Sequence, residues 1–277
     1  MLFDRYKLTD RSGLTDALIG AIEDAYRVFA HYELPRPLRV CYCNVCVSQD
    51  DARHLVETPL RQIPVELLSE YTSSAHGYDE EMHGSSLRYF LPRYFELIAL
   101  NQAPDHNNLP QCLGRLRQAD YRHNWSTEEA DVIARYFDAL LADKLRDVSV
   151  IKWPVGYRLG YPMDELLEMM VLAGGDVRRI LGAFEAAADP GASLHIAGLA
   201  EKLIFRDGAP EYSSVMIKRS DPACYELGAF LADPRHSARL EAVFFDLEAE
   251  PVLQKILSDG HQMIGALAAV TRPEVAR

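Results

Sequence analysis

No stretch of this 277-residue sequence comes near the roughly 20 consecutive apolar residues that a membrane-spanning helix needs. The first residues, Met1-Leu-Phe-Asp-Arg-Tyr-Lys7, mix charge with aromatics where a secretion signal would run apolar, so a cytoplasmic location is expected. Positive charge is in short supply too. With 29 basic against 41 acidic residues the net charge is −12, which gives no electrostatic reason to approach a phosphate backbone or an anionic membrane. Nucleic acid and membrane are therefore not expected as partners, and a basic protein would be favoured. Cysteine is scarce and odd in number: five in all, which does not suit a disulfide framework.

Catalytic signatures are also missing. The chain has no Gly-x-Ser-x-Gly elbow, no glycine-rich phosphate loop followed by Lys-Ser or Lys-Thr, no His-Glu-x-x-His and no dinucleotide fingerprint. These absences lean away from an enzyme. Hydrophobic content of 48% and charged content of 25% are those of an ordinary globular protein large enough for one or two domains.

What is present is helical pattern. Leu14, Leu18, Ile22, Tyr26 and Phe29 recur at spacings of three and four, and Thr15 or Asp16 can cap the helix they imply. An aromatic stripe, Leu87, Phe90, Leu91, Tyr94, Phe95 and Ile98, surrounds Pro92, which implies either a kink or a helix start near Leu91. Ser126-Thr-Glu-Glu129 is a capping box ahead of Val132, Ile133, Tyr136, Phe137, Leu140 and Leu141. From Asp147 to Met163 the pattern lapses into an irregular crossing or a short strand. Beyond it, Asp189-Pro190, Asp221-Pro222 and Asp233-Pro234 each read as a cap followed by a first-turn proline. The expected fold is all-α: antiparallel helical hairpins, an irregular helical solenoid being one arrangement, with at most minor short strands. Two regions are expected, a cysteine-cluster helical domain over 1–150 and a helical-hairpin domain over 151–277.

Three of the five cysteines fall within six residues, in Cys41-Tyr-Cys43-Asn-Val-Cys46. Cys43 and Cys46 have the two-residue gap by which a thiolate pair holds one zinc, and Cys41 can add a third sulfur. His54 is the candidate fourth ligand, ahead of His76, His83 and Cys112. Against this stands the ordinary packing of small apolar side chains, since free cysteine is among the most buried residue types. Acid-x-x-His occurs four times, at Asp51/His54, Glu80/His83, Asp120/His123 and Asp233/His236, but only one begins with glutamate, so a surface helix contact explains it better than a di-metal centre. Asp79, Glu80 and Glu81 form a local acidic run, a candidate contact for a basic partner.

Cys-x-Cys-x-x-Cys-Val-Ser, then Thr58-Pro-Leu-Arg-x-Ile-Pro64, then Arg88-Tyr-Phe-Leu-Pro-Arg93 and Trp125, resembles a group of uncharacterised bacterial proteins over about residues 30–150. The resemblance implies no activity and carries over no catalytic residue. Two functions follow as expectations. The first is an immunity or antitoxin protein that neutralises a basic toxin domain by covering its active site, and needs no cofactor. The alternative is a metal-dependent enzyme or zinc-stabilised regulator built on Cys41, Cys43 and Cys46.

Overall fold

The computed structural model describes residues 10–43, 46–76, 84–106, 108–154, 156–247 and 250–271. Among them are thirteen α-helices and two small two-stranded sheets, an all-α fold with minor strands. The chain divides into two compact units, Met1–Leu140 with Leu172–Gly175, and Leu141–Val171 with Asp176–Arg277.

The first unit holds α1 (Asp16–Val28), α2 (Gln49–Glu57), α3 (Val65–Ser73), α4 (Ser85–Ala99), the short α5 (Gly114–Gln118) and α6 (Tyr121–Asn124), and most of α7 (Thr127–Lys144). Thr15 caps α1 by accepting from the Leu18 amide, and Ser48 caps α2 by accepting from that of Asp51. The capping box forms as the sequence implies: Glu129 donates its amide to the Ser126 hydroxyl at 3.3 Å, and its carboxylate accepts the Ser126 amide at 2.8 Å. Helix α4 runs unbroken through Pro92, so the start near Leu91 is not the solution adopted. Nearly all of α4 is buried, and α1 packs along it. The Phe95 and Tyr136 rings stack at 3.7 Å, and the Tyr136 hydroxyl donates to the Phe95 carbonyl at 2.9 Å.

A buried ion cluster ties this unit together. The Glu96 carboxylate, 3% exposed, accepts from Arg11 Nε at 2.7 Å, Tyr26 at 2.7 Å and Arg93 at 2.6 Å. Burial pushes this carboxyl up, but the three donors outweigh it and hold it below the usual glutamate range.

The second unit holds α8 (Met163–Leu172), α9 (Val177–Ala186), α10 (Pro190–Leu199), α11 (Pro222–Leu231), α12 (Arg235–Asp246) and α13 (Pro251–Thr271), with strands β1 (Val150–Trp153), β2 (Gly156–Leu159), β3 (Leu203–Arg206) and β4 (Ala209–Tyr212). Asp189 and Asp221 cap α10 and α11 with proline in the first turn. The third such pair is shifted by one: Pro234 occupies the cap position, and Asp233 accepts from the Arg235 amide. Helix α13 packs on α10 and α12. The sheets are antiparallel hairpins, β1 with β2 and β3 with β4. The lapse in pattern after Asp147 thus resolves as the first hairpin. The second was not expected, although its turn, Asp207-Gly208, is a strong hairpin signal and both residues take the positive φ it needs.

Candidate metal centre

Cys41, Cys43 and Cys46 lie on the connection between α1 and α2, and that connection is fastened at both ends to the same short stretch after α3. At one end Cys41 donates its amide to the Ala75 carbonyl at 2.8 Å, and Val40 forms an isolated bridge with His76. At the other, the buried Val47 donates its amide to the Ser74 hydroxyl at 2.8 Å. Between these anchors the Cys46 amide donates to the Cys43 carbonyl at 3.2 Å. The result is convergence: the three sulfur atoms all lie within 4.8 Å of one another. Among the described residues no other group of three cysteine, histidine or carboxylate ligand atoms gathers in this way.

Cys43 is exposed, and Cys41 and Cys46 are half-buried. The Cys43 amide donates to the Cys41 thiol and favours its ionisation. The neighbouring thiols of Cys43 and Cys46 oppose this, and the net effect raises Cys41 above the usual cysteine range. A dication at the cluster would reverse this, because its charge deprotonates coordinating thiols outright. Three sulfurs suit a soft-accepting ion of the zinc type, which takes thiolate ligands at about 2.3 Å in a tetrahedral set.

Of the candidates for the fourth ligand, His54, His76 and Cys112 do not join this group. His54 is exposed on α2, whose buried face is Ala52 and Leu55. His76 adjoins the arm through its bridge to Val40, but its Nε2 contacts the Tyr71 carbonyl at 3.0 Å and its ring meets Tyr71 edge-on. Burial and nearby Arg115 push His76 down to about 3, so it is neutral. Cys112 is buried, donates to the Asn108 carbonyl at 3.7 Å, and is raised by burial. His83, and the acidic run Asp79, Glu80 and Glu81, lie outside the described residues.

No family profile, curated protein or solved structure matches this chain. The site has to be read from its own geometry.

Two hollows complete the picture. In the first unit a groove of about 460 Å³ is lined by Pro37, Leu38, Tyr42, Ala52 and Val56, with Arg36 and Arg53 also in its wall. Tyr42, between two of the cysteines, donates its hydroxyl to the Leu38 carbonyl at 2.5 Å. In the second unit a cleft of about 390 Å³ is bordered by β2, α10 and α13. Two of its three carboxylates are engaged elsewhere, Asp164 with Lys202 at 2.8 Å and Asp259 with Lys255 at 2.9 Å. Its histidine, His195, contacts the Asp147 carbonyl through Nε2 at 3.0 Å. The Asp120/His123 pair is an exposed contact at 2.7 Å, as a surface helix pair would be, whereas His236 is buried and Asp233 pairs with Arg235 at 2.7 Å. No helix among the described residues is long and apolar enough to cross a membrane.

Proposed function

We propose that Cys41, Cys43 and Cys46 bind one zinc ion, and that the ion stabilises a macromolecule-binding surface. The observation that carries this reading is the convergence of three sulfurs on an arm hydrogen-bonded at both ends. Tyr42, which lines the groove, is covalently flanked by Cys41 and Cys43, so an ion there would fix one wall of that groove. Zinc would supply charge and coordination strength; the chain supplies thiolates, an amide hydrogen bond to Cys41, and a prefolded frame. With three ligands among the described residues, the fourth tetrahedral position falls to water or to a group from elsewhere.

Elemental analysis of protein purified with thiols protected tests the proposal. About one equivalent of zinc is expected, retained on dialysis because structural sites bind it with an apparent 10–16 kcal/mol. Less than about a tenth of an equivalent in the wild type, or zinc unchanged in Cys43→Ser, would overturn it.

For the partner, the net charge of −12 favours a basic protein, and neutralisation of a basic toxin domain is the concrete form of that reading. Association that slows several-fold between low and physiological salt would support it. A salt-independent rate would remove charge as its basis.

A further inference from the structure

The first hairpin of the second unit is apolar where a hairpin of a soluble protein is usually polar. All four residues of β1 are exposed, and on the two strands Val150, Ile151, Trp153 (45% exposed) and Tyr157 (54% exposed) present large apolar side chains to solvent. Within this unit β2 packs on α10 and α13, while β1, exposed throughout, is an edge of a two-stranded sheet. Its sign of charge is also reversed. From Val148 to Pro162 the sequence has Lys152 and Arg158 and no carboxylate, in a chain whose net charge is −12. Arg158 stacks on Trp153, 3.5 Å from the ring centroid.

The register shows which backbone groups are open. Gly160 donates its amide to the Ser149 carbonyl at 2.6 Å, making Ser149 and Gly160 a hydrogen-bonded pair. With Val150 opposite Leu159 and Lys152 opposite Tyr157, alternation makes those two pairs non-hydrogen-bonded, so the amides and carbonyls of Val150 and Lys152 point outward. Lys152 and Val150 stand on one face of the outer strand, and Ile151 and Trp153, with Arg158 of β2 over the Trp153 ring, stand on the other.

We propose that β1 is a docking edge for an extended acidic segment of a partner protein, which adds as a third strand. A protein strand fits better than a nucleic acid, since only another backbone satisfies the open amides and carbonyls. The best occupant alternates acidic and apolar residues, placing carboxylates on the Lys152 face and apolar side chains beside Ile151 and Trp153.

The test uses a fluorescent peptide of four Glu-Val repeats, measured by anisotropy against the full-length protein, with a Lys-Val peptide of equal length as control. Saturable binding of the Glu-Val peptide alone is expected, weakened about tenfold by Lys152→Glu. Val150→Pro removes an outward amide without touching the β1–β2 ladder, so it should abolish binding at an unchanged melting temperature. If that variant melts early, Lys152→Glu decides. The proposal is independent of the metal site: Cys41, Cys43 and Cys46 changed together to serine should leave peptide binding unaltered. No binding by the wild type, equal binding of the Lys-Val peptide, undiminished binding by a stable Val150→Pro, or displacement of the peptide by oligothymidylate would each overturn it.

Discussion

Val47 donates its amide to the Ser74 hydroxyl at 2.8 Å, 27 residues along the chain, and the same hydroxyl donates to the Glu70 carbonyl at 2.7 Å. That one side chain joins the cysteine arm to the last turn of α3. Ser74→Ala leaves the fully buried Val47 amide without a partner, which costs about 1–3 kcal/mol. Amide exchange at Val47 should accelerate by one to two orders of magnitude. Zinc affinity should fall with it, since the ligands lose part of their preorganisation. Unchanged exchange at Val47 would show that the arm is held by other means.

Glu96 is a buried anion shared by Arg11, Tyr26 and Arg93. Replacing it with Gln removes the anion from between Arg11 and Arg93 and is expected to cost about 3 kcal/mol, read as a lower urea midpoint. Glu23 is the contrast. Arg61 and Arg11 hold it down to about 2, against an opposing push from burial, but its side chain is 45% exposed and solvent screens the pair. Glu23→Gln should therefore cost less than about 1 kcal/mol.

In the second unit His195 is pushed down to about 4, chiefly by burial, against opposing contributions from Asp147, Lys144 and Asp189. Below about pH 6.5 the unfolded chain takes up a proton that the folded chain refuses until about pH 4, so stability conferred by the neutral ring is full above 6.5 and is lost as pH falls through that window. The loss is on the order of 2–3 kcal/mol. Urea midpoints from pH 7 to 4 should fall less steeply in His195→Gln than in the wild type, with His76 contributing a residual slope in the first unit. Parallel slopes would place the proton uptake elsewhere.

Gly228 of α11 lies against β4 so closely that an added Cβ would come 2.6 Å from the Glu211 Cα, and one at Gly260 of α13 would come 2.5 Å from the Ala197 Cα on α10. Gly228→Ala and Gly260→Ala should each destabilise by about 1–3 kcal/mol, despite alanine's better helix propensity. Gly182→Ala, where nothing lies within 4 Å, should stabilise α9 slightly. Thermal melts of the three variants separate close packing from propensity.

Local signals were legible where one turn of chain decides the outcome. The Ser126/Glu129 capping box and the Asp189 and Asp221 caps form as their spacing implies. The β3–β4 hairpin had one signal in the sequence, Asp207-Gly208, but Leu203-Ile-Phe205 does not alternate and Pro210 argues against a strand, so the flanking residues did not support it. The sulfur convergence was legible only in part. Spacing alone pairs Cys43 with Cys46, whereas the arm's shape depends on Ser74 and Ala75, about thirty residues away. His54 could have been set aside from sequence, because Ala52 and Leu55 fix the buried face of α2 and leave His54 outside it.

Zinc K-edge X-ray absorption on the purified, metal-replete protein tests the central claim most directly. The account predicts a scattering shell of three sulfurs at about 2.3 Å with one lighter ligand completing a four-coordinate site, and loss of one sulfur in Cys43→Ser. A shell of nitrogen and oxygen alone, or a sulfur count unmoved by Cys43→Ser, would contradict it.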